Sequence, residues 1–240
     1  MKPIYFLLLL LPSLFYSQIL DEYPKGQSFY KGGITAFYKE AHHFLVENNS
    51  KECNENEIYV PRILITADRK VKLVQDSDTI NVSENKCAYS LAKSVLKGLK
   101  NWQSAEVKGG SFGAITDFVF YPKDLMSNYK DGYNAYNFVE SAKYPEETKK
   151  FDQEFHDNFM ALFEDYHING DVNLEYYVDE RGDIVDARIY PSIDNKEFNK
   201  DFFRALKRLK KKWKPALYSN LPIRQRFAFP VRFSTNFNER

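Results

Sequence analysis

The sequence lacks the common signatures of enzyme active sites. Its 240 residues contain no GxSxG or HExxH motif, no phosphate-binding loop and no dinucleotide-binding glycine motif. The only cysteines, Cys53 and Cys87, are far apart in sequence, so no CxxC motif lowers a thiol pKa for redox chemistry. The four histidines do not follow the spacing of a compact metal site. We therefore predict that the protein is not an enzyme and has no catalytic residue, cofactor or metal site.

Long hydrophobic runs are also scarce. Residues 4–16 form an apolar stretch that follows Lys2 and is shorter than the ~20 residues that a membrane-spanning helix needs. This pattern is typical of a signal peptide. We therefore predict that residues 1–18 are a signal peptide and that the cleaved protein does not contact a membrane. Tyr16 stands where a cleavage site usually has a small residue, so an uncleaved leader that anchors the chain stays an alternative.

The chain has no marked excess of charge of either sign. It contains 34 basic and 33 acidic residues, and the formal net charge is +1. Such a balance does not attract nucleic acid or anionic membranes over long distances, and we predict no nucleic-acid partner. Six basic residues do cluster within residues 207–214. We interpret them as the solvated face of an amphipathic helix, with an anionic surface as the alternative partner.

Export to an oxidising compartment would allow the two cysteines to pair. We predict a structural disulfide between Cys53 and Cys87, which flank the first predicted hairpin. In the chain-entropy model, closing a loop of roughly 35 residues stabilises a fold by about 3 kcal/mol.

Two regions of the chain repeat one pattern, in which an amphipathic helix runs into a tryptophan and an aromatic-rich strand follows. The helices end near Trp102 and Trp213. We predict two tandem domains, a first unit over residues 23–122 and a second unit over residues 144–240, joined by a linker over residues 123–143. The linker has no Pro-rich or Gly/Ser-rich tract that would make it a long spacer.

Hydrophobic periodicity predicts the same four elements in each unit: a helix, a hairpin, a second helix and a final strand. In the first unit they cover residues 34–47, 58–75, 86–101 and 112–121, and in the second unit residues 146–166, 171–190, 196–212 and 223–237. The predicted fold class is therefore α+β, with each unit a small antiparallel sheet packed against one or two helices.

Two residues of the second unit add detail to this prediction. Gly182 lies in the hairpin turn, where a glycine can take the positive φ that a bulged hairpin requires. Pro230 lies within the final strand and has no N–H to donate, so this strand should be an edge strand or contain a bulge. The tryptophans end apolar helical stripes, and we expect both to pack in the core.

Short motifs of the second unit follow one another in a recognisable order. They are Tyr144-Pro145, Gly170-Asp171-Val172, Val178-Asp179, Gly182-Asp183-Ile184, Trp213-Lys214-Pro215 and Pro230-Val231-Arg232-Phe233. With these motifs, the second unit resembles the C-terminal domain of the TonB family of energy transducers. The first unit resembles a diverged copy, with Tyr23-Pro24, the hairpin around Asp68 and Trp102 in matching order. It lacks the turn glycine and the proline after the tryptophan.

The resemblance implies a periplasmic module that binds a short extended peptide, the TonB box of an outer-membrane transporter, by adding it as a strand to a sheet edge. The residues expected to form this docking edge are Ile223, Arg224, Gln225, Arg226, Phe227, Ala228 and Phe229. An open edge can also pair with a second copy, so homodimerisation stays open. The alternative function is a structural or regulatory cell-envelope protein without a role in transport.

Full transducers of this family also have an N-terminal membrane helix and a Pro-rich span. This chain has no Pro-rich span, and its apolar segment is short. We therefore expect a detached periplasmic relative that binds without transducing force. If the leader is retained, an inner-membrane-anchored transducer with a short reach is the better interpretation.

Overall fold

A computed structural model describes residues 19–76, 78–145, 148–162, 170–190, 192–209 and 211–233 of the chain. The predicted signal peptide, residues 1–18, lies outside the described residues. So do residues 146–147 and 163–166 of the first predicted helix in the second unit and residues 234–237 of its predicted final strand. Within the described ranges, no helix combines the length and the apolar character needed to cross a membrane.

Both units contain helices and small sheets. The elements of the first unit and of the segment before it are β1 (Ile19–Leu20), α1 (Gly33–Glu47), β2 (Arg62–Ile65), β3 (Val71–Leu73), α2 (Thr79–Glu84), α3 (Lys86–Gly98), β4 (Ala105–Val107), β5 (Gly110–Asp117) and α4 (Pro122–Leu125). A 3-10 helix (Ala135–Phe138) and β6 (Val139–Glu140) lie in the predicted linker. The second unit contains α5 (Thr148–Met160), β7 (Gly170–Val178), β8 (Ile184–Tyr190), α6 (Lys196–Lys207), β9 (Ala216–Tyr218), β10 (Leu221–Ile223) and β11 (Gln225–Phe233).

The two units share one sheet topology. In the first unit, β2 lies between β5 and β3 and is antiparallel to both. In the second unit, β7 lies between β11 and β8, again with both pairs antiparallel. In the first unit the short strand β4 pairs with the first residues of β5, and in the second unit β9 pairs with β10, which directly precedes β11. The predicted α+β class with small antiparallel sheets is confirmed.

The two hairpin turns also close in the same way. In the second unit, the backbone N–H of Gly182 donates to the carbonyl oxygen of Asp179 at 3.0 Å, and Gly182 has a φ of 81°. In the first unit, the N–H of Arg69 donates to the carbonyl oxygen of Thr66 at 2.8 Å, and Arg69 has a φ of 62°. Arg69 therefore takes the left-handed conformation that the glycine takes in the second unit, although this conformation strains a residue with a Cβ.

An aromatic cluster forms the core of the first unit. Trp102 follows α3. Its ring packs against Tyr30 and Phe37, with ring centroids 5.2 Å and 5.9 Å away. Phe37 in turn contacts Phe118, which follows β5, at 4.6 Å. The hydroxyl of Tyr30 hydrogen-bonds the carboxylate of Glu40 on α1. These rings are buried, as expected for Trp102.

The second unit repeats this cluster. Trp213 packs against Tyr144 at 5.5 Å and Phe151 at 5.2 Å, and Phe151 lies 6.1 Å from Phe229 on β11. The hydroxyl of Tyr144 donates to the carboxylate of Glu154 at 2.7 Å. The predicted core position of Trp213 is confirmed.

This comparison corrects one correspondence made from the sequence. Tyr23-Pro24 had the order expected for the counterpart of Tyr144-Pro145, but the structure places Tyr30 in the role of Tyr144. Tyr23 instead donates its hydroxyl to the carbonyl oxygen of Gln103 at 2.6 Å. The Tyr-Pro pair is too short a motif to identify the counterpart of Tyr144. That counterpart is the tyrosine that packs against the tryptophan of the unit.

The predicted linker is part of the folded protein. Tyr133 packs its ring 5.0 Å from that of Tyr38 on α1, and its hydroxyl lies 2.8 Å from the hydroxyl of Tyr218 on β9. Tyr218 also donates to Asp124 on α4 at 2.5 Å. In addition, β6 pairs with β9. The segment therefore packs the two units against each other instead of separating them.

Several element boundaries differ from the sequence prediction. Between the predicted hairpin and the predicted second helix of the first unit, the structure adds the helix α2, whose N-terminus is capped by the carboxylate of Asp78, which accepts hydrogen bonds from the N–H groups of Ile80 and Asn81. The second helix of each unit ends earlier than predicted, at Gly98 and Lys207. Both helices stop before the tryptophan, which leaves the tryptophan free to bridge to the strand beside it.

The structure joins Cys53 to Cys87 in a disulfide. The bond ties the loop before β2 to the first turn of α3. We expect that replacing both cysteines by serine lowers the free energy of unfolding by about 3 kcal/mol, because the reduced chain gains loop entropy when it unfolds. Urea denaturation of the purified double variant measures this change. An unchanged midpoint with an unchanged slope would contradict the expected stabilisation.

The turn glycine of the second unit should be more sensitive than a glycine that shares its conformation. A Cβ at Gly182 would lie 2.0 Å from the carbonyl oxygen of Trp213, and Gly182 has a positive φ. Gly132 has a similar φ of 78°, but a Cβ there meets no heavy atom within 4 Å. We expect Gly132→Ala to cost about 1 kcal/mol of stability from backbone strain alone. Gly182→Ala should cost at least ~2 kcal/mol more, because the backbone at Trp213 must move.

Thermal and urea denaturation of both variants test this expectation. Equal losses of stability in Gly182→Ala and Gly132→Ala would show that the contact with Trp213 does not constrain the turn.

Candidate functional site

The outermost strand of the second unit is the candidate site. β11 pairs with β7 without interruption from Gln225, opposite Val178, to Phe233, opposite Gly170. Among the described residues, no strand pairs with the other edge of β11. The edge position predicted from Pro230 is therefore confirmed. Such an edge presents a row of backbone N–H and C=O groups that have no partner within the sheet.

The structure divides the predicted docking stretch into two strands. Ile223 ends β10, where it pairs with Ala216 and is 3 % exposed. Gln225 begins β11, and Arg224 forms the break between the two strands. Ile223 is thus a core residue of the small sheet formed by β10, β9 and β6. It does not share an edge with the residues that follow it.

Arg224 is held by the rest of the protein. Its guanidinium pairs with Asp76 of the first unit at 3.0 Å and with Asp186 on β8 at 2.5 Å, and it lies over the ring of Tyr177 at 4.5 Å. Burial disfavours the cation, but Asp76 and Asp186 outweigh burial, so the pKa of Arg224 is raised. Only 10 % of the side chain is exposed. Arg224 therefore fixes the start of β11 and is not available to contact a partner.

Arg226 is the second arginine of the predicted stretch, and it is also paired. It donates to the carboxylate of Glu175 on β7 at 2.7 Å. The other oxygen of this carboxylate accepts from Arg188 on β8 at 2.7 Å. Glu175 is therefore buried between two arginines, and the three side chains form a row across all three strands of the sheet. This row fixes the order of the strands on the face that points away from α5 and α6.

The aromatic residues of the stretch point to the opposite face. The ring of Phe227 lies 4.9 Å from Trp213, and the ring of Phe229 lies 6.3 Å from Phe155 on α5. The side chain of Gln225 accepts a hydrogen bond from the backbone N–H of Ala142 at 2.7 Å. Hence these three side chains hold β11 in place.

The exposed side chains on β11 are small. Ala228 and Pro230 are both exposed and lie on the same face as Arg226. Because the other side chains of the predicted stretch are engaged within the protein, the surface that β11 offers to a partner consists mainly of its backbone edge and these small side chains.

A polar cluster behind the site was not predicted from the sequence. Asp117, at the end of β5 in the first unit, lies near Arg62, Arg224 and Arg226. Burial raises the pKa of the Asp117 carboxyl, and the arginines oppose this effect. Arg62 also lies over the ring of Tyr177, 5.5 Å from its centroid. The only sequence signal for this cluster is that Arg226 lies on the same face of the final strand as Ala228 and Pro230. That pattern does not show which acidic residue the arginine contacts.

The histidines and the cysteines do not form a metal centre in the part of the chain that the structure describes. Cys53, Glu57 and Cys87 come within 4.8 Å of one another, but the two sulfurs are bonded to each other. Glu57 accepts a hydrogen bond from the backbone N–H of Cys87 at 2.7 Å. The ring of His42 stacks on the ring of Tyr129, with centroids 3.9 Å apart, which is a packing contact. His167 lies outside the described residues.

Residues 165–235 match the family model described as Gram-negative bacterial TonB protein C-terminal. The match covers β7, β8, α6 and the strands that follow, including the whole candidate edge. The resemblance found in the sequence motifs is thereby confirmed for the second unit, and the first unit lies outside the match. No curated protein and no solved structure matches the chain.

The buried carboxylate of Glu175 provides a test of the arginine row. We expect Glu175→Gln to lower the free energy of unfolding by about 3 kcal/mol, because both arginines lose the buried carboxylate that they share. The matched control is Glu197→Gln, since Glu197 pairs with Lys200 and both side chains are at least 64 % exposed. Its loss should stay within about 0.5 kcal/mol.

Chemical denaturation of both variants measures these differences. If Glu175→Gln costs no more than the Glu197→Gln control, the row of charges does not hold the strands together.

Proposed function

We propose, from the similarity of the second unit to the TonB C-terminal domain, that this protein is a periplasmic binding module for outer-membrane transporters. In this proposal, a short extended segment of the transporter, its TonB box, adds to β11 as a further strand. The domain family is an interaction domain and not an enzyme, in agreement with the lack of catalytic motifs. The protein acts by holding its partner.

The observation that carries the proposal is the uncovered backbone edge of β11. Strand addition obtains its affinity from main-chain hydrogen bonds and its specificity from alternate side chains of the bound segment. An edge strand that is fixed in position lowers the cost of binding, because little has to be ordered when the partner arrives. Arg224 and Arg226 supply this fixation from one face of β11, and Phe227 and Phe229 supply it from the other.

Pro230 indicates which backbone groups face the partner. In an antiparallel pair, alternate residues direct their N–H and C=O groups toward the neighbouring strand. The pairing of β11 with β7 is continuous through Pro230, which lies opposite Asn173. The ladder loses no hydrogen bond there if the nitrogen of Pro230 faces outward. Arg226 and Ala228 then have the same orientation, and their N–H groups point to the open edge.

The small side chain of Ala228 suits this role. A second strand has to approach an edge to within about 4.8 Å, and bulky side chains beside the edge would compete for that space. Ala228 and Pro230 leave the space free on their face of the sheet. Pro230 has no N–H, so the row of outward backbone donors that includes Arg226 and Ala228 is interrupted there. The proposed site therefore accepts a short segment.

We place this module in the periplasm, because the predicted leader directs export.

The sharpest test removes one outward donor. We expect Ala228→Pro to weaken the binding of TonB-box peptides by at least about tenfold, because one main-chain hydrogen bond is lost and the ring crowds the partner. Ala228→Val is the matched control, since it adds a side chain and keeps the N–H. Calorimetric titration with a panel of transporter N-terminal peptides measures the affinities.

Thermal denaturation shows whether both variants remain as stable as the unchanged protein. Unchanged peptide affinity in a folded Ala228→Pro variant would exclude β11 as the binding edge. If no peptide of the panel binds to the unchanged protein, the transport role is wrong, and co-sedimentation with cell wall would then favour the structural role.

A further inference from the structure

We propose that the first unit carries a second strand-accepting edge, on β5, and that the N-terminal segment of the chain, residues 19–22, occupies it. The inference uses the idea of strand addition from the proposed function but does not depend on the transporter as partner. It rests on the equivalence of the two sheets and on the contacts of this segment.

β5 is the structural counterpart of β11. Ala114 on β5 lies opposite Ile65, the last residue of β2, just as Gln225 on β11 lies opposite Val178, the last residue of β7. The same number of residues separates the tryptophan of each unit from the phenylalanine that packs on the first helix. The outer edge of β5 is therefore the same edge that β11 leaves open.

In the first unit this edge is covered by β1. Ile19 pairs with Gly113 and Leu20 with Ala114, and the two strands are parallel. The paired positions on β5 correspond to Arg224 and Gln225, which lie directly before Arg226, where the outward donors of the proposed docking edge begin. The N-terminal segment thus adds a strand beside the start of the edge that corresponds to the one proposed to take a partner in the second unit.

Ile19 lies against β5 at Gly113. A Cβ at Gly113 would lie 3.6 Å from the Cγ1 atom of Ile19, which is an ordinary van der Waals distance. The side chain of Ile19 therefore packs on the strand with which its backbone pairs.

Two carboxylates tie the same segment to the second unit. Asp21 pairs with Arg188 on β8 at 2.5 Å, and Glu22 lies 3.8 Å from Arg226 on β11. These arginines are the two that flank Glu175. The segment therefore lies between the units, with its apolar residues on the first sheet and its acidic residues on the second. Any event that displaces it would expose the edge of β5 and free the side chain of Arg226 from Glu22 at the same time.

The occupied edge explains why the two units differ in the surface they offer. Among the described residues, β11 has an open edge and β5 has a covered one. We assign the covered edge to the chain's own sequence Ile19-Leu20-Asp21-Glu22. The chemistry of a replacement partner follows from this occupant: an extended segment with two apolar residues followed by two acidic ones.

The test removes the strand from the edge and offers it back in trans. In the full chain, Ile19→Pro combined with Leu20→Pro removes both N–H groups of β1, so the segment cannot pair with β5. We expect amide hydrogen exchange in the part of β5 beside β1, residues 113–115, to become faster by at least about tenfold, because the outward groups there lose their partners. Ile19→Val combined with Leu20→Val is the control, and its exchange should change by less than about twofold, because valine keeps the N–H and favours strands.

A peptide with the sequence of residues 19–24 then completes the test. Added at ~1 mM, which is in the range of effective concentrations for tethered segments, it should restore slow exchange in the double-proline variant and leave the unchanged protein as it was. The proposal is overturned if the double-proline variant exchanges like the control. It is also overturned if exchange is fast but the peptide does not slow it, because the edge then does not accept a strand.

Asp21→Ala combined with Glu22→Ala provides a second variant that keeps every residue of β1. Exchange in residues 113–115 should rise by about threefold as the segment loses its anchors, and the same peptide should reverse the rise. This variant decides the question if the double-proline variant fails to fold, and unchanged exchange in it would overturn the proposed anchoring. A panel of transporter peptides that does not bind β11 would reject the proposed function and leave these results as they are.

Discussion

The packing of one tryptophan in each unit is the contact on which the candidate edge depends. In the second unit, the backbone N–H of Trp213 donates to the backbone carbonyl oxygen of Gly182 in the hairpin turn, at 3.0 Å. Its ring contacts Tyr144 before α5, Phe151 on α5 and Phe227 on β11. The hairpin, the first helix and the edge strand thus meet at a single residue. Because a packed interior does not deform gradually, β11 has a defined position before any partner arrives.

Local signals made much of this fold predictable. Gly182 marked the hairpin turn and Pro230 marked the edge strand, because each residue imposes a backbone conformation or removes a donor by itself. The helical stripes that end at the tryptophans were readable from periodicity. The contacts that define the site were not predictable in this way. Arg224 forms an ion pair with Asp76 of the first unit. No local sequence pattern predicts an ion pair between residues so far apart in the chain.

The difference between local signals and contacts made in the folded protein also explains why Tyr23-Pro24 was wrongly matched to Tyr144-Pro145. Tyr23-Pro24 matched a motif in sequence, yet Tyr30 fills the place beside Trp102. The pairing of Ile19 with Gly113 also lies beyond a sequence argument, because two residues are too few to show a strand period. Both features are decided by which surfaces the folded units leave open, and those surfaces exist only once the sheets are formed.

The chemistry of β11 also limits what can occupy it. An exposed edge is a hazard, because a second copy of the same strand could pair with it. One feature weakens self-pairing in this protein, because Pro230 removes one N–H from the strand. A copy of β11 that ran antiparallel to the first would bring its own proline into the same short stretch, so two donors would be lost. A partner peptide without a proline loses one at most. Pro230 therefore disfavours pairing of β11 with a second copy of itself, in line with the docking role proposed above.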